Sequence, residues 1–276
     1  IMENNFTNDI IYRNSLYYRF NYKKIKSLKS IDLIRYYDGL NCFQYFEFNI
    51  TEEDIQDLIK INKKNDIKFR YIDENSNIYK ILSQRFIIKK TDEWYSPIIE
   101  IKKNNFQDYV QSKSNNFKRL IKKCQLYNKQ IKVVKSNKNN INNLFKDVLL
   151  VDQKSWKARE KSDMFNLDNE QIIYLSMLKY CDIVVAYKCN TPIGYSLLIQ
   201  YNNKYYAAKW GATDDGRKLN AGIICLLTQI KKISSNKDLY LDLWGRRNKI
   251  YDRMATSYKK RLYFSIIKND NKKRTN

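Results

Sequence analysis

The chain has 276 residues, 43% of them apolar, enough to bury a large core as one domain or two. Its 52 basic and 29 acidic residues give a net charge of +23. That charge points to an acidic partner, or else reflects a Lys-, Asn- and Ile-rich composition in which lysine is the ordinary surface residue. No histidine is present, which excludes Ser-His-Asp and Cys-His catalysis and every histidine-ligated metal site.

The first hundred residues read as mixed α/β. Asp9 to Asn21 alternates around Arg13-Asn14-Ser15 and predicts a hairpin, and Cys42 to Phe48 predicts a strand. Thr51-Glu52-Glu53-Asp54 is a capping signal for a helix carrying Ile55, Leu58 and Ile59. Residues 67–72 and 85–88 predict further strands, and 95–101 a short strand broken by Pro97. Phe106, Tyr109, Val110, Phe117, Leu120, Ile121 and Cys124 then mark one helical face. The opposite face is basic, with ten Lys and Arg and no acid from Tyr109 to Lys146. Such a run is either a solvated face or a surface for phosphates.

Ile141 to Leu149 predicts a second amphipathic helix, leading into Ser155-Trp156-Lys157. Asp168-x-x-Gln171 predicts the cap of a third helix, which carries Ile172, Leu175 and Leu178. Three strands follow at 182–187, 193–201 and 205–213, the last two joined by the two-residue turn Asn202-Asn203. A helix over 218–232, a strand over 239–244, a helix over 247–257 and a strand over 261–267 complete the pattern. The most linker-like segment, 137–143, suggests domains at 1–136 and 137–276. Cysteines 42, 124, 181, 189 and 225 lack metal spacing and read as reduced structural thiols, so no metal is expected. No apolar run is long enough to span a membrane, and Ile1-Met2-Glu3-Asn4 is no leader, so a cytoplasmic protein is expected.

The chemistry concentrates in Tyr205 to Met254. Three of the six glycines, 211, 216 and 222, fall within twelve residues there, with Gly245 close behind. The helix after strand 205–213 offers exposed N-terminal amides. Arg217 and Lys218 precede it, and Asn220-Ala221-Gly222 is small enough for a ligand to reach the backbone. This reads either as a pyrophosphate site or as a plain capped and packed helix.

A hairpin, a strand, a phosphate-type turn with its helix, and a further strand together resemble the layout of the GNAT acyltransferases. Ser112-x-Ser114-x-x-Phe117-Lys118-Arg119-Leu120, Ser155-Trp156-Lys157, and Leu241-Asp242-Leu243-Trp244-Gly245 through Tyr251 are similar to segments of the tandem-GNAT branch. That branch includes cellulose-biosynthesis-type GNATs and Fem-type aminoacyl-tRNA-dependent peptidyltransferases. The resemblance spans roughly residues 95–267. It departs at Asp252, where the family has lysine, and at 217–222, which is looser than Gln/Arg-x-x-Gly-x-Gly/Ala.

The resemblance implies an α/β (α+β) fold of two tandem GNAT-like domains, the N-terminal one degenerate. It implies acyl transfer from acyl-CoA or an acyl-carrier protein to an amine of a peptide, amino acid or small molecule. The donor pyrophosphate would lie on Arg217, Lys218, Leu219, Asn220, Ala221 and Gly222. A backbone amide near Gly211 or Ala212 would polarise the thioester carbonyl. Asp242, or failing it Asp214, would act as base, although a structural aspartate is the plainer reading of Asp242. Tyr251 would be the acid for the leaving thiolate, or else a core tyrosine. Trp156, Phe165 and Trp210 would wall the acceptor or acyl pocket, or pack the core. An acidic peptide is one acceptor that fits the charge. Two alternatives stay open: a Fem-like peptidyltransferase with tRNA on the basic run, and a non-catalytic nucleic-acid-binding protein.

Overall fold

The structure, a computed structural model, describes residues 24–27, 32–36, 39–43, 50–62, 66–166, 171–201 and 203–267. The expected hairpin at 9–21, the Asp168 cap and part of the Asn202-Asn203 turn lie outside the described residues. The described residues form two compact units, one from Ile1–Tyr95 with Lys259–Asn276 and one from Ser96–Tyr258. The expected break at 136–137 thus falls inside the second unit. The Asn-rich stretch there is a capping turn: the Asn137 side chain accepts from the Asn139 and Asn140 amides at 2.8 and 3.1 Å.

The first unit contains β1 (Lys24–Ser27), β2 (Asp32–Tyr36), β3 (Gly39–Phe43), α1 (Glu52–Asn62), β4 (Ile67–Asp73) and α2 (Asn77–Arg85). β3 and β4 pair in parallel, and residues 261–266 pair antiparallel with β4. Thr51 and Asp54 cap α1 reciprocally, each side chain accepting from the other's amide at 3.2 and 2.9 Å. Ser76 caps α2, a helix that the apolar pattern does not predict. Leu58, Phe69, Ile78, Leu82, Leu262 and Phe264 fill the core between helices and strands.

The second unit begins within β5 (Ile88–Ile101). It continues through α3 (Phe106–Gln111), α4 (Asn115–Asn128), β6 (Lys132–Lys135), α5 (Ile141–Gln153), α6 (Trp156–Arg159) and α7 (Gln171–Ser176). β7 (Cys181–Lys188), β8 (Thr191–Tyr201) and β9 (Lys204–Ala212) follow. Then come α8 (Asp214–Lys218), α9 (Ala221–Asn236), β10 (Leu239–Asp242) and α10 (Lys249–Met254), and the chain passes back into the first unit within β11 (Ser257–Ile266). Its sheet runs β5-β10-β9-β8-β7-β6, with β9 and β10 parallel and the other neighbours antiparallel. This is the mixed α/β architecture expected. Pro97 sits within β5 because pairing with β10 starts at Ile98, and the Pro97 carbonyl still accepts from the Leu243 amide at 3.0 Å. Ile183 to Ala186 on β7 are all fully buried, the mark of a strand covered on both faces. α9 supplies one cover, its Ile224, Cys225, Leu226 and Ile230 packing with Val184, Ala186, Leu198 and Leu241. Among the described residues no helix is long and apolar enough to cross a membrane.

The helix predicted over 218–232 starts at Ala221, and the turn expected before it contains the short helix α8. Thr213 caps α8 by accepting from Gly216 N at 3.1 Å, and Asn220, at φ 54°, breaks the chain before α9. A left-handed residue costs asparagine little.

Candidate active site

β9 and β10 pair at only two positions, Leu241 with Tyr205 and Asp242 with Tyr206. β10 then ends, while β9 continues to Ala212 along β8. One extra β9 residue, Ala208, sits where the register shifts, a bulge that adds local twist as the strands part. A cleft of about 780 Å³ opens beside the vacated edge. Residues 207–212 line it with Trp156, Lys157, Arg217, Asn220, Gly222, Ile223 and 248–251.

The direction of the backbone groups on that edge follows from the ladder. Thr213 N donates to Ile193 O at 3.0 Å, so alternation turns Gly211 and Lys209 toward β8. The N–H and C=O groups of Trp210 therefore face the cleft, and those of Ala212 also leave the β8 ladder, next to the Ser155–Thr213 bridge. This refines the expectation of a polarising amide near Gly211 or Ala212.

The start of α9 forms a second wall. Asn220 makes no side-chain cap, so it takes none of the first-turn amides of this 16-residue helix. Packing by itself requires a glycine at 222. A Cβ there would lie 2.8 Å from the Gly211 carbonyl oxygen and 3.3 Å from the Trp210 ring. Arg217 stands beside this wall, mostly exposed and 3.8 Å from Asp214.

The third wall is α10. The Asn248 side chain accepts from the Ile250 and Tyr251 amides at 3.0 and 2.9 Å and so fixes the first turn. Gly245 admits the Tyr251 ring, since a Cβ there would meet Cε2 at 3.0 Å. The Tyr251 hydroxyl accepts from Trp210 Nε1 at 2.8 Å. Burial pushes the Tyr251 phenol up from its ordinary value, and the Trp210 bond only partly opposes it. It is a protonated group at neutral pH. Asp252, the departure from the family pattern, holds Arg247 at 3.0 Å and the Tyr258 hydroxyl at 3.1 Å.

Several predicted site residues do not line the cleft. Asp242, the expected base, is fully buried. Its Oδ1 accepts from Ser96 Oγ at 2.7 Å and Trp244 N at 2.8 Å, which ties the end of β10 to β5 and to the next loop. Asp214 is exposed and bonded twice by Arg159, at 2.9 and 3.2 Å, which holds its carboxyl below the usual range. Lys218 reaches Asp215 at 2.7 Å. Leu219 and Ala221 join the core, and the exposed Phe165 lies off the cleft wall. Gly211, Ala212, Arg217, Asn220, Gly222, Trp156, Trp210 and Tyr251 are brought together as expected.

The sequence reading passed over Lys157, Lys209, Asn248 and Lys249 as site residues. Asn248 had a usable signal, an Asn directly before a short helical pattern. Lys157, Lys209, Arg217 and Lys249 make the lining basic, and none of the lining residues is acidic.

No family model and no curated protein matches this sequence. Solved structures do match along nearly its whole length. FemX aligns with a TM-score of 0.63 at 10% identity, covering 96% of this chain and 94% of its own. A conserved protein of unknown function from Bacteroides thetaiotaomicron gives 0.62 at 10% identity over 96% and 93%. L-PGS from Bacillus licheniformis gives 0.60 at 10% identity over 92% and 87%. These alignments show that the chain shares the fold of FemX and L-PGS along nearly its whole length.

Proposed function

We propose that this chain is an N-acyltransferase, moving an acyl group from acyl-CoA or an acyl-carrier thioester to an amine. The observation that carries the reading is the parting of β9 from β10 after two paired positions, with a basic cleft at the gap. The α9 amides with Arg217 and Lys249 would hold the donor's phosphates. The cleft-facing amide of Trp210 would stabilise charge on the acyl oxygen. As the amine nitrogen bonds the acyl carbon and the C–S bond breaks, Tyr251 would give its proton to the thiolate and regain one from the acceptor ammonium through water. Among the described residues no carboxylate lines the cleft as base. Lys209, Arg217 and Lys249 would instead lower the acceptor ammonium's pKa, so that the free amine attacks. The same charge favours an acceptor bearing carboxylates, such as an acidic peptide.

One observation favours a second reading, an aminoacyl ester carried on tRNA. α4 presents Arg119, Lys122 and Lys123 on its exposed face. Thermal shift and calorimetry with CoA, acetyl-CoA and palmitoyl-CoA, set against aminoacyl-tRNA, separate the two. Stabilisation by the CoA compounds is expected. Stabilisation by tRNA alone would replace the first reading with the second.

A further inference from the structure

Lys157 is nearly enclosed, its side chain 12% exposed. Its ammonium donates to Asp152 Oδ1 at 3.2 Å, the Tyr195 hydroxyl at 3.1 Å and the Trp210 carbonyl at 2.9 Å. Asp152 and Tyr195 are fully buried. Tyr195 donates to Asp152 Oδ1, while Asp152 Oδ2 accepts from Met164 N at 2.7 Å. A buried ion pair recovers its desolvation cost only when its remaining polar valences are filled, and these are.

The third partner of Lys157 is the informative one. The Trp210 carbonyl lies on the β9 edge that β10 has left, where a ladder bond would otherwise satisfy it. An open strand edge presents donors and acceptors side by side. In a site where negative charge develops on an acyl oxygen, the amides attract that charge and a bare carbonyl repels it. Lys157 covers the carbonyl.

Building on the acyl-transfer reading above, we infer that Lys157 is a positioning residue. It caps the Trp210 carbonyl in place of the missing strand, is held there by Asp152 and Tyr195, and removes that acceptor from the edge facing the acyl oxygen. The sequence contains two Trp-Gly peptides, Trp210-Gly211 and Trp244-Gly245. Labelling tryptophan carbonyl carbon and glycine nitrogen therefore yields two NMR correlations, the second an internal control. Lys157→Met should move the Trp210-Gly211 signal and leave the other in place. Because this variant strands a buried carboxylate, Asp152→Asn with Lys157→Met serves as a charge-balanced companion, and Lys157→Arg as the conservative variant.

CoA affinity by calorimetry should stay within about twofold of the parent, since the capped carbonyl acts on the transition state and not on the phosphates. Thiol release from acetyl-CoA, with pooled amino acids and peptides as acceptors, should fall at least about tenfold and recover in part with Lys157→Arg. An unmoved Trp210-Gly211 signal in a folded variant, or undiminished thiol release, would overturn the inference. If the parent protein neither binds CoA nor releases thiol, the donor assignment fails, and the NMR signal alone decides whether Lys157 caps the carbonyl.

Discussion

Replacing Gly222 with alanine separates two reasons for a glycine at the mouth of the cleft. The new Cβ would stand 2.8 Å from the Gly211 carbonyl oxygen and 3.1 Å from its carbon, both backbone atoms that no rotamer change removes. Ordinary contact begins near 3.4 Å, so α9 and β9 must separate by about 3.4 − 2.8 = 0.6 Å at their closest point. Overpacking of this kind costs about 1–3 kcal/mol. The better helix propensity of alanine returns at most about 1 kcal/mol. Subtracted from the middle of the overpacking range, about 2 kcal/mol, this leaves a net loss of at least about 1 kcal/mol, which lowers Tm by roughly 2–4 °C or more for a unit of this size. Scanning fluorimetry of the ligand-free protein reads this directly, and CoA calorimetry on the same sample should show weaker binding because the α9 amides have moved. A ligand-free Tm equal to or above that of the parent would refute the packing argument and return Gly222 to the role that the sequence suggested, making room for a ligand.

Tyr251→Phe keeps the ring but removes the proton, so thiol release should fall about 10²–10⁴-fold while CoA affinity holds; weakened binding with unchanged turnover would remove Tyr251 as the acid. Asp242→Asn should retain most of the turnover, because the buried carboxylate is engaged by Ser96 and Trp244 and does not line the cleft. Asp242→Ala should cost about 1–3 kcal/mol in urea titrations, and a stable but inactive Asp242→Asn protein would restore the aspartate as base. Burial raises the Tyr251 pKa above its reference of 10.0, so its stabilisation is full below about pH 10 and is lost as pH rises through the higher folded value. Tm measured from pH 9 to 11.5 should therefore fall more steeply for the parent than for Tyr251→Phe, and parallel curves would contradict the assigned shift.

The strands of the second unit were legible because turn residues punctuate them. Cys189 and Asn190, at φ 48° and 62°, form a two-residue connection between Lys188 and Thr191. An Asn cap before a packed helix was legible at Asn220, but the short polar helix α8 ahead of it, in Asp214-Asp215-Gly216-Arg217-Lys218, was not. Asp242 illustrates a different limit. A carboxylate on a buried strand reads as chemistry until its partner Ser96, 146 residues away in the chain, is in place. Lys157 shows the converse. Its neighbours Tyr195 and Trp210 stand 38 and 53 residues away, so no local pattern could announce a buried cation network.

The vacated edge of β9 also bears on solubility. Unpaired strand edges recruit other chains, and natural sheets blunt them with bulges and charge. Here the bulge at Ala208 and the ammonium of Lys157 sit on just such an edge, flanked by the cations of Lys209, Arg217 and Lys249. The features that would serve acyl transfer thus double as protection against self-association. Variants stripped of them should tend to aggregate as well as lose activity, and concentration-dependent light scattering becomes a gauge of the site's integrity.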